Sequence, residues 1–286
     1  MSILLDGLSL GAIYALIALG YTMVYGIAKL LNFAHGDIIM VGAYAILCML
    51  NLCGNVYVAL VAAVVICTVM GIAVEKFAYK PLRGASPLAV LITAIGVSFL
   101  LQSVAQLVFG AKSRPVSLPS FGTFTVAGVT VNASTLITLA VGAVIMAALT
   151  LFVAKTRIGR AMQAVSEDRG AAQLMGINVN AIVSVTFAIG SALAAFASLF
   201  YLWQIPSVSP TLGAMPGIKA FTAAVIGGIG SIPGAMLGGF AIGLLEALVA
   251  AVGLSVWKDG VVFAILILVL LIKPTGILGH KVTEKV

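Results

Sequence analysis

Three groups of polar residues interrupt an otherwise apolar chain, and each allows a different chemistry. The first is Asn32-Phe33-Ala34-His35-Gly36-Asp37, three polar side chains in six positions between two apolar runs. One histidine and one aspartate are too few for a metal centre, which takes about four ligands, so no metal is assigned. The cluster reads either as a polar turn at a membrane surface or as a broken helix lining a pathway. Polar groups at membrane depth persist only where protein or water satisfies them. The second group is Lys219 and Glu246, set within the later apolar segments. They either pair across adjacent segments or snorkel to the interface. The third is the stretch Lys155 to Gly176, KTRIGRAMQAVSEDRGAAQLMG. No charge occurs from Pro115 to Ala154 or from Gly170 to Ile218, so this island must sit in water or against another protein.

Catalysis finds no footing. No Ser/His/Asp set or pair of acids can be assembled, and His35 and His280 are the only histidines. There is no G-x-x-x-x-G-K-[ST] stretch to cradle ATP phosphates. No catalytic residue and no cofactor is expected.

The elements that must position these groups follow from composition. Mean hydropathy is +1.24 and only 8% of the residues are charged, against roughly a quarter in soluble domains. Uncharged runs reach the roughly 20 residues that cross a bilayer. The fold class is therefore all-α: a polytopic transmembrane bundle of eight or nine spans, read as one domain over 1–286 with a cytoplasmic loop at about 155–178. Spans are expected at 7–28, 36–53, 56–74, 88–109, 133–154, 179–203, 217–229 (short), 233–252 and 257–272. Gly7, Gly11, Ala15 and Ala18/Leu19 form a small-residue packing face on the first, and Gly190 to Ser198 another on the sixth. Gln102 and Gln106 are read as helix–helix contacts. Residues 124–131 alternate weakly and suggest a hairpin. The third span ends at Glu75 and Lys76, and the segment 77–87, with Lys80 and Arg83, reads as a cytoplasmic loop.

The net charge of +7 reflects basic residues at cytoplasmic span ends, not nucleic acid. Lys29, Lys76, Lys80, Arg83, Lys155, Arg157, Arg160, Arg169, Lys273, Lys281 and Lys285 fall on one side, with the C-terminus cytoplasmic. Lys112, Arg114, Lys219 and Lys258 fall elsewhere. Asp37 lies near an edge and Asp259 at an outer edge. Nine crossings put the N-terminus outside; eight put it inside. Cys48, Cys53 and Cys67 read as buried free thiols. Without Lys or Arg before Lys29, the first span is expected to be retained and not cleaved. His35–Leu47 faintly echoes Ile232–Leu245, as in a transporter of two repeats.

Within the island, Ala161, Ala164/Val165, Ala172 and Met175 keep helical spacing, with charges on the other side. Ala171-Ala172-x-x-x-Gly176 follows: an alanine pair allowing close approach, then a terminal glycine. This pattern resembles the coupling motif of bacterial ABC importer permeases. GLSLGAIYALIALGYTMVYGI, LLNFAHGDIIMVGAY, TAIGVSFLLQS, GRAMQAVSEDRGAAQLMGIN and AVIGGIGSIPGAMLGGFAIGLLE resemble, in order, the branched-chain amino-acid permease family. NFAHG is similar to the LivH-type subunit rather than its LivM-type partner. The likeness runs from Gly7 to Gly276.

The resemblance implies a permease subunit of the bacterial inner membrane. It would pair with a second permease subunit as a heterodimer, with two cytoplasmic ABC ATPases and an extracytoplasmic binding protein. It implies that Gly159, Arg160, Glu167, Asp168, Ala171, Ala172 and Gly176 form the ATPase-docking stretch. Asn32, Phe33, His35, Gly36 and Asp37 match the N-terminal motif and are candidates for the translocation path. The implied substrates are leucine, isoleucine and valine; related permeases carry urea, amides or other amino acids. An ion-coupled secondary carrier is the alternative of another class, but such carriers keep more ionisable groups deep in the membrane.

Overall fold

In hydrocarbon the backbone must satisfy its own hydrogen bonds, and the apolar runs accordingly fold as helices. A computed structural model describes residues 2–30, 32–119, 121–126 and 129–279. Its helices are α1 (Ser2–Ala28), α2 (His35–Cys53), α3 (Val56–Val74), α4 (Pro87–Phe109), α5 (Ala133–Lys155), α6 (Arg157–Glu167), α7 (Arg169–Leu174), α8 (Val179–Gln204), α9 (Ala214–Gly227), α10 (Ile232–Ala251) and α11 (Lys258–Ile272). Among the described residues, eight helices are long and apolar enough to cross a membrane; α9 is shorter.

Contacts fix the direction of each pass. α1 runs antiparallel to α10, since Gly7 meets Ala247 and Gly26 meets Gly230. It also runs antiparallel to α8: Gln204 donates to the Ser9 hydroxyl (3.2 Å), and Gly190 lies against Gly20. α6 and α7, between α5 and α8, stand at the end where α1 stops and α10 begins. α9 and the chain after α11 close on the same end, where Ile277 and Leu278 donate to the Ile226 and Gly227 carbonyls (2.8 and 2.9 Å). The segment 205–227 runs back along the bundle, partly as turns and partly as α9, and among the described residues the first and the last lie at opposite ends. His280, Lys281 and Lys285 lie outside the described residues.

Helices in lipid gain little from apolar contact alone, so close approach at small residues holds them together. The anticipated face on α1 packs against Gly239, Phe240, Gly243 and Ala247 of α10; a Cβ on Gly11 would stand 2.8 Å from Phe240 Cα. On α8, Ser191 lies against Gly71 of α3, and Ser198 lies against Gly42 of α2. Ser198 donates to the Ile39 carbonyl (2.8 Å).

At the end opposite α6–α7, β2 (Thr123–Val126) and β3 (Val129–Asn132) form the expected hairpin, as an antiparallel pair. A second pair was not visible in the sequence: β1 (Arg114–Pro115) with β4 (Ser207–Val208). It ties the segment after α4 to the segment after α8.

Two sequence readings need correction. The segment after α3 is not a loop: it continues as a π-helical turn over Glu75–Tyr79 and a 3-10 turn over Lys80–Leu82. Glu75 and Tyr79 are buried there, because Arg83 pairs with Glu75 and Ser184 donates to it (2.7 Å). Of the cysteines only Cys67 is buried; Cys48 is half-buried and Cys53 exposed.

The α1–α10 contact predicts a sharp asymmetry between glycines. Gly239→Leu drives a side chain into the Ala15 backbone and should cost about 3 kcal/mol or more. Gly96→Ala meets nothing within 4 Å and should be neutral or stabilising by up to about 1 kcal/mol. Denaturant midpoints of the purified subunit in detergent check both.

Candidate functional site

The first polar group occupies the break between α1 and α2. α1 ends at Ala28, and Lys29 takes a left-handed backbone (φ 52°) that turns the chain. Asn32, His35 and Asp37 are all buried, at 2%, 1% and 1% exposure, which removes the surface-turn reading. The His35 ring sits against Gly20 and Gly190, near the middle of α1 and α8, and meets Tyr21 edge-on at 4.9 Å. α2 therefore begins deep inside the bundle, and Asp37 belongs to the interior, not to an edge.

Each polar side chain there has a reason to stay. Tyr79 donates its hydroxyl proton to Asn32 Oδ1 (2.8 Å). Gln102 of α4 donates to Asp37 Oδ1 (2.9 Å), as expected of a helix–helix contact, whereas Gln106 is exposed. Among the described residues His35 Nε2 and Asn32 Nδ2 have no hydrogen-bond partner. Gly36 approaches the start of α9 so closely that a Cβ would lie 2.6 Å from the Gly213 carbonyl oxygen and 3.1 Å from Gly217 Cα. The two helix starts meet in mid-bundle, α2 running one way and α9 the other. A cavity of about 360 Å³ opens beside them, lined by Tyr21, Phe33, Asp37, Leu91, Ile95, Ser98, Ala214 and Ile218.

The island folds as two helices, not one. Thr156 caps α6, accepting from the Gly159 amide (3.0 Å). Gly159 is buried where α6 folds back on the end of α5. Asp168 ends α6 and caps α7, accepting from the Ala171 amide (3.0 Å). Gly176, at φ 80°, stops the chain, with Ile177 donating to the Ala172 carbonyl (3.0 Å). That is a left-handed helix stop in which glycine is unstrained. Met162, Val165 and Ala172 are buried, while Arg160, Glu167, Asp168 and Ala171 are exposed. Ala161 and Ala164 are half-buried.

Met175 departs from the expected apolar face. It is 82% exposed and Leu174 is 90% exposed, because the break at Asp168 resets the helical phase. They form an apolar tip on a polar lever. Arg169 donates to the Ala28 carbonyl, the last of α1. Partial burial, and then the nearby Arg83 charge, hold the Arg169 pKa below its ordinary value; the guanidinium nonetheless stays charged. Beside the lever, a second cavity of about 360 Å³ is lined by residues including Lys29, Met162, Gln163, Ser166 and Ser231.

The second group is an ion pair, as one of its two readings required. Lys219 Nζ lies 2.8 Å from Glu246 Oε1 and 2.6 Å from Asp259 Oδ1. Asp259 is thus not an isolated edge charge, and the sequence reading missed this contact. Tyr14 donates to Glu246 (3.1 Å). The cluster links α1, α9, α10 and α11. Tyr79 and Asp259 were missed as partners because sequence spacing carries no information on which helices meet.

Comparison with known proteins fits this architecture. A model of the family described as branched-chain amino acid transport system / permease component matches residues 3–270. The chain is 47% identical to the high-affinity branched-chain amino acid transport system permease protein LivH of Escherichia coli (strain K12), over 98% of this chain and 96% of that protein. It is 45% identical to the corresponding permease protein BraD of Pseudomonas aeruginosa, over 99% and 97%. Among solved structures, PsaBC from Streptococcus pneumoniae in complex with Fab superposes with a TM-score of 0.51 at 15% identity, covering 96% of this chain and 93% of that one. At that identity the likeness is one of fold alone.

The Lys219 cluster yields a stability test. Lys219→Met leaves Glu246 buried with Tyr14 and no cation, and should cost on the order of 3 kcal/mol. The double change Lys219→Met with Glu246→Gln should recover about half of that. Unfolding midpoints of the detergent-solubilised subunit measure the difference.

Proposed function

The chain belongs to the family of permease components of branched-chain amino acid transport systems, and from that premise we propose that it is the membrane-spanning subunit of an ATP-driven importer for leucine, isoleucine and valine. It forms the translocation path with a second permease subunit, in a bacterial inner membrane. Two cytoplasmic ABC ATPases supply the energy, and an extracytoplasmic binding protein delivers the amino acid. The α6–α7 end and the C-terminus face the cytoplasm, in keeping with the basic residues Arg157, Arg160 and Arg169. The N-terminus and the β2–β3 hairpin face outward.

The observation that carries this reading is the exposed apolar tip Leu174–Met175 on an otherwise polar lever. Burying two such side chains in a partner's groove contributes about 1.5–3 kcal/mol each, enough to hold a subunit contact. Docking roles divide accordingly. Leu174 and Met175 insert, with Arg160, Glu167, Asp168 and Ala171 around them on the exposed side. Gly159, Ala172 and Gly176 set the lever's shape. Arg169 links the lever to the end of α1, and the chain runs from there straight into Asn32, Phe33, His35, Gly36 and Asp37. Movement of the lever on ATP binding therefore reaches the mid-bundle break through one hydrogen bond and one short segment. Lys219 and Glu246 neutralise each other and act as a tie among helices, not as a carrier's coupling site.

Replacing both Leu174 and Met175 with serine should weaken co-purification with the ATPase subunits at least tenfold, about 1.4 kcal/mol, and reduce ATP-dependent leucine uptake in proteoliposomes to match. The isolated subunit should keep its denaturation midpoint. A complex that survives these changes undisturbed contradicts the docking role.

A further inference from the structure

Asp37 is the carboxylate that the account so far leaves without a counter-ion. It is 1% exposed and deep in the bundle. The other two buried acids, Glu75 and Glu246, each have a cation, Arg83 and Lys219 respectively. Among the described residues no Lys, Arg or His pairs with Asp37. Its hydrogen-bonding partners are neutral: Gln102 Nε2 donates to it (2.9 Å), with the Ser98 hydroxyl alongside. An ionised carboxylate at such depth is costly, and such groups mark pathways for cations or polar ligands.

Asp37 also faces room. The 360 Å³ cavity beside it falls within the roughly 300–1,000 Å³ typical of small-molecule sites. Its other walls are mainly apolar: Phe33, Leu91, Ile95 and Ile218, with Ser98. Two other cavities among the described residues differ in character. The one beside the lever carries Lys29 and no carboxylate. The one at the opposite end, about 260 Å³, is lined by polar residues including Asp6, Ser9 and Asn132. Of these three, the cavity beside Asp37 sets a buried carboxyl opposite an apolar wall, and it opens outward past Ile95 and Ile218. α9 begins at the same place with no side-chain cap, and Ala214 of its first turn lines the cavity, so the positive end of a helix is turned towards it.

We propose that this central cavity is a substrate subsite: Asp37 receives the α-ammonium group of a passing amino acid, and Phe33, Leu91, Ile95 and Ile218 receive its apolar side chain. The subsite rests on the permease reading above. The substrate's carboxylate lies towards the first turn of α9. An aliphatic amino acid thus finds a partner for each of its three parts in mid-membrane, without a high-affinity trap that would hold it there. The binding is transient because the cavity sits where α2 and α9 begin, and these starts shift when the lever moves.

The test uses the whole transporter in proteoliposomes, with its binding protein, and leucine as the probe. Asp37→Asn keeps the size and the acceptor for Gln102 but removes the charge. The ratio of leucine carried to ATP consumed should fall at least tenfold, and Asp37→Glu should retain more of it than Asp37→Asn. If Asp37→Asn does not assemble, Ile95→Trp decides: it fills the cavity without touching the charge and should lower the same ratio at least fivefold. A ratio within twofold of the unmodified transporter in the deciding variant would overturn the subsite. So would Asp37→Glu falling as far as Asp37→Asn. If the unmodified transporter shows no ATP-dependent leucine uptake, the permease reading itself fails, which is a separate outcome.

Discussion

α2 and α9 both start in the middle of the bundle, and their starts touch. Gly36 meets Gly213 and Gly217 at distances that admit no side chain. A helix that begins inside a membrane leaves backbone groups exposed, and these are tolerated only where protein encloses them or a cavity admits water. The rest of the bundle conforms to that requirement. Tyr79 reaches Asn32 from the π-helical end of α3, Gln102 reaches Asp37 from α4, and the His35 ring fills the space that Gly20 and Gly190 leave. Each partner comes from a different helix, so the break is held from several sides while the cavity beside it stays open.

The same arrangement joins the lever to the centre. α6 and α7 are short and capped at Thr156 and Asp168, with Met162, Val165 and Ala172 seated on the bundle. The lever's contact with the Ala28 carbonyl through Arg169 lies just ahead of the left-handed turn at Lys29. Past that turn the chain enters the break. At the far side, the Lys219–Glu246–Asp259 cluster keeps α9, α10 and α11 together, so that α9 moves with a defined body. One subunit thus contains an exposed polar element, a short connection and a cavity beside a buried carboxyl that no described cation pairs with.

Much of this was legible in the sequence. Run length located the membrane helices, because the bilayer sets that length. The charge-free stretches either side of Lys155–Arg169 isolated the lever. What sequence could not give was depth and phase. Asn32, His35 and Asp37 stood out as polar, but a run of polar residues between two apolar segments reads alike at a surface and at mid-depth. Met175 was placed on one apolar face with Ala161, Ala164/Val165 and Ala172 by extending one helical period through Asp168, where the helix stops and restarts. Lys80 and Arg83 suggested a loop because charge usually marks one; Arg83 and Ser184 satisfy Glu75 and let the helix continue. Asp259 was placed at an edge because nothing local reveals that Lys219 reaches it from another helix.

The central claim is that the α6–α7 lever moves the starts of α2 and α9 about the cavity. Ile92 and Met215 are exposed residues next to the cavity residues Leu91 and Ala214, so spin labels there report its width. The decisive measurement is their distance distribution in the assembled transporter, by pulsed dipolar spectroscopy, without nucleotide and with ATP bound. A shift of at least ~2 Å, the scale of helix movements in switching proteins, is predicted, and it should vanish when Arg169 is replaced by alanine. An unchanged distance on ATP binding, or the same shift without Arg169, would contradict the account.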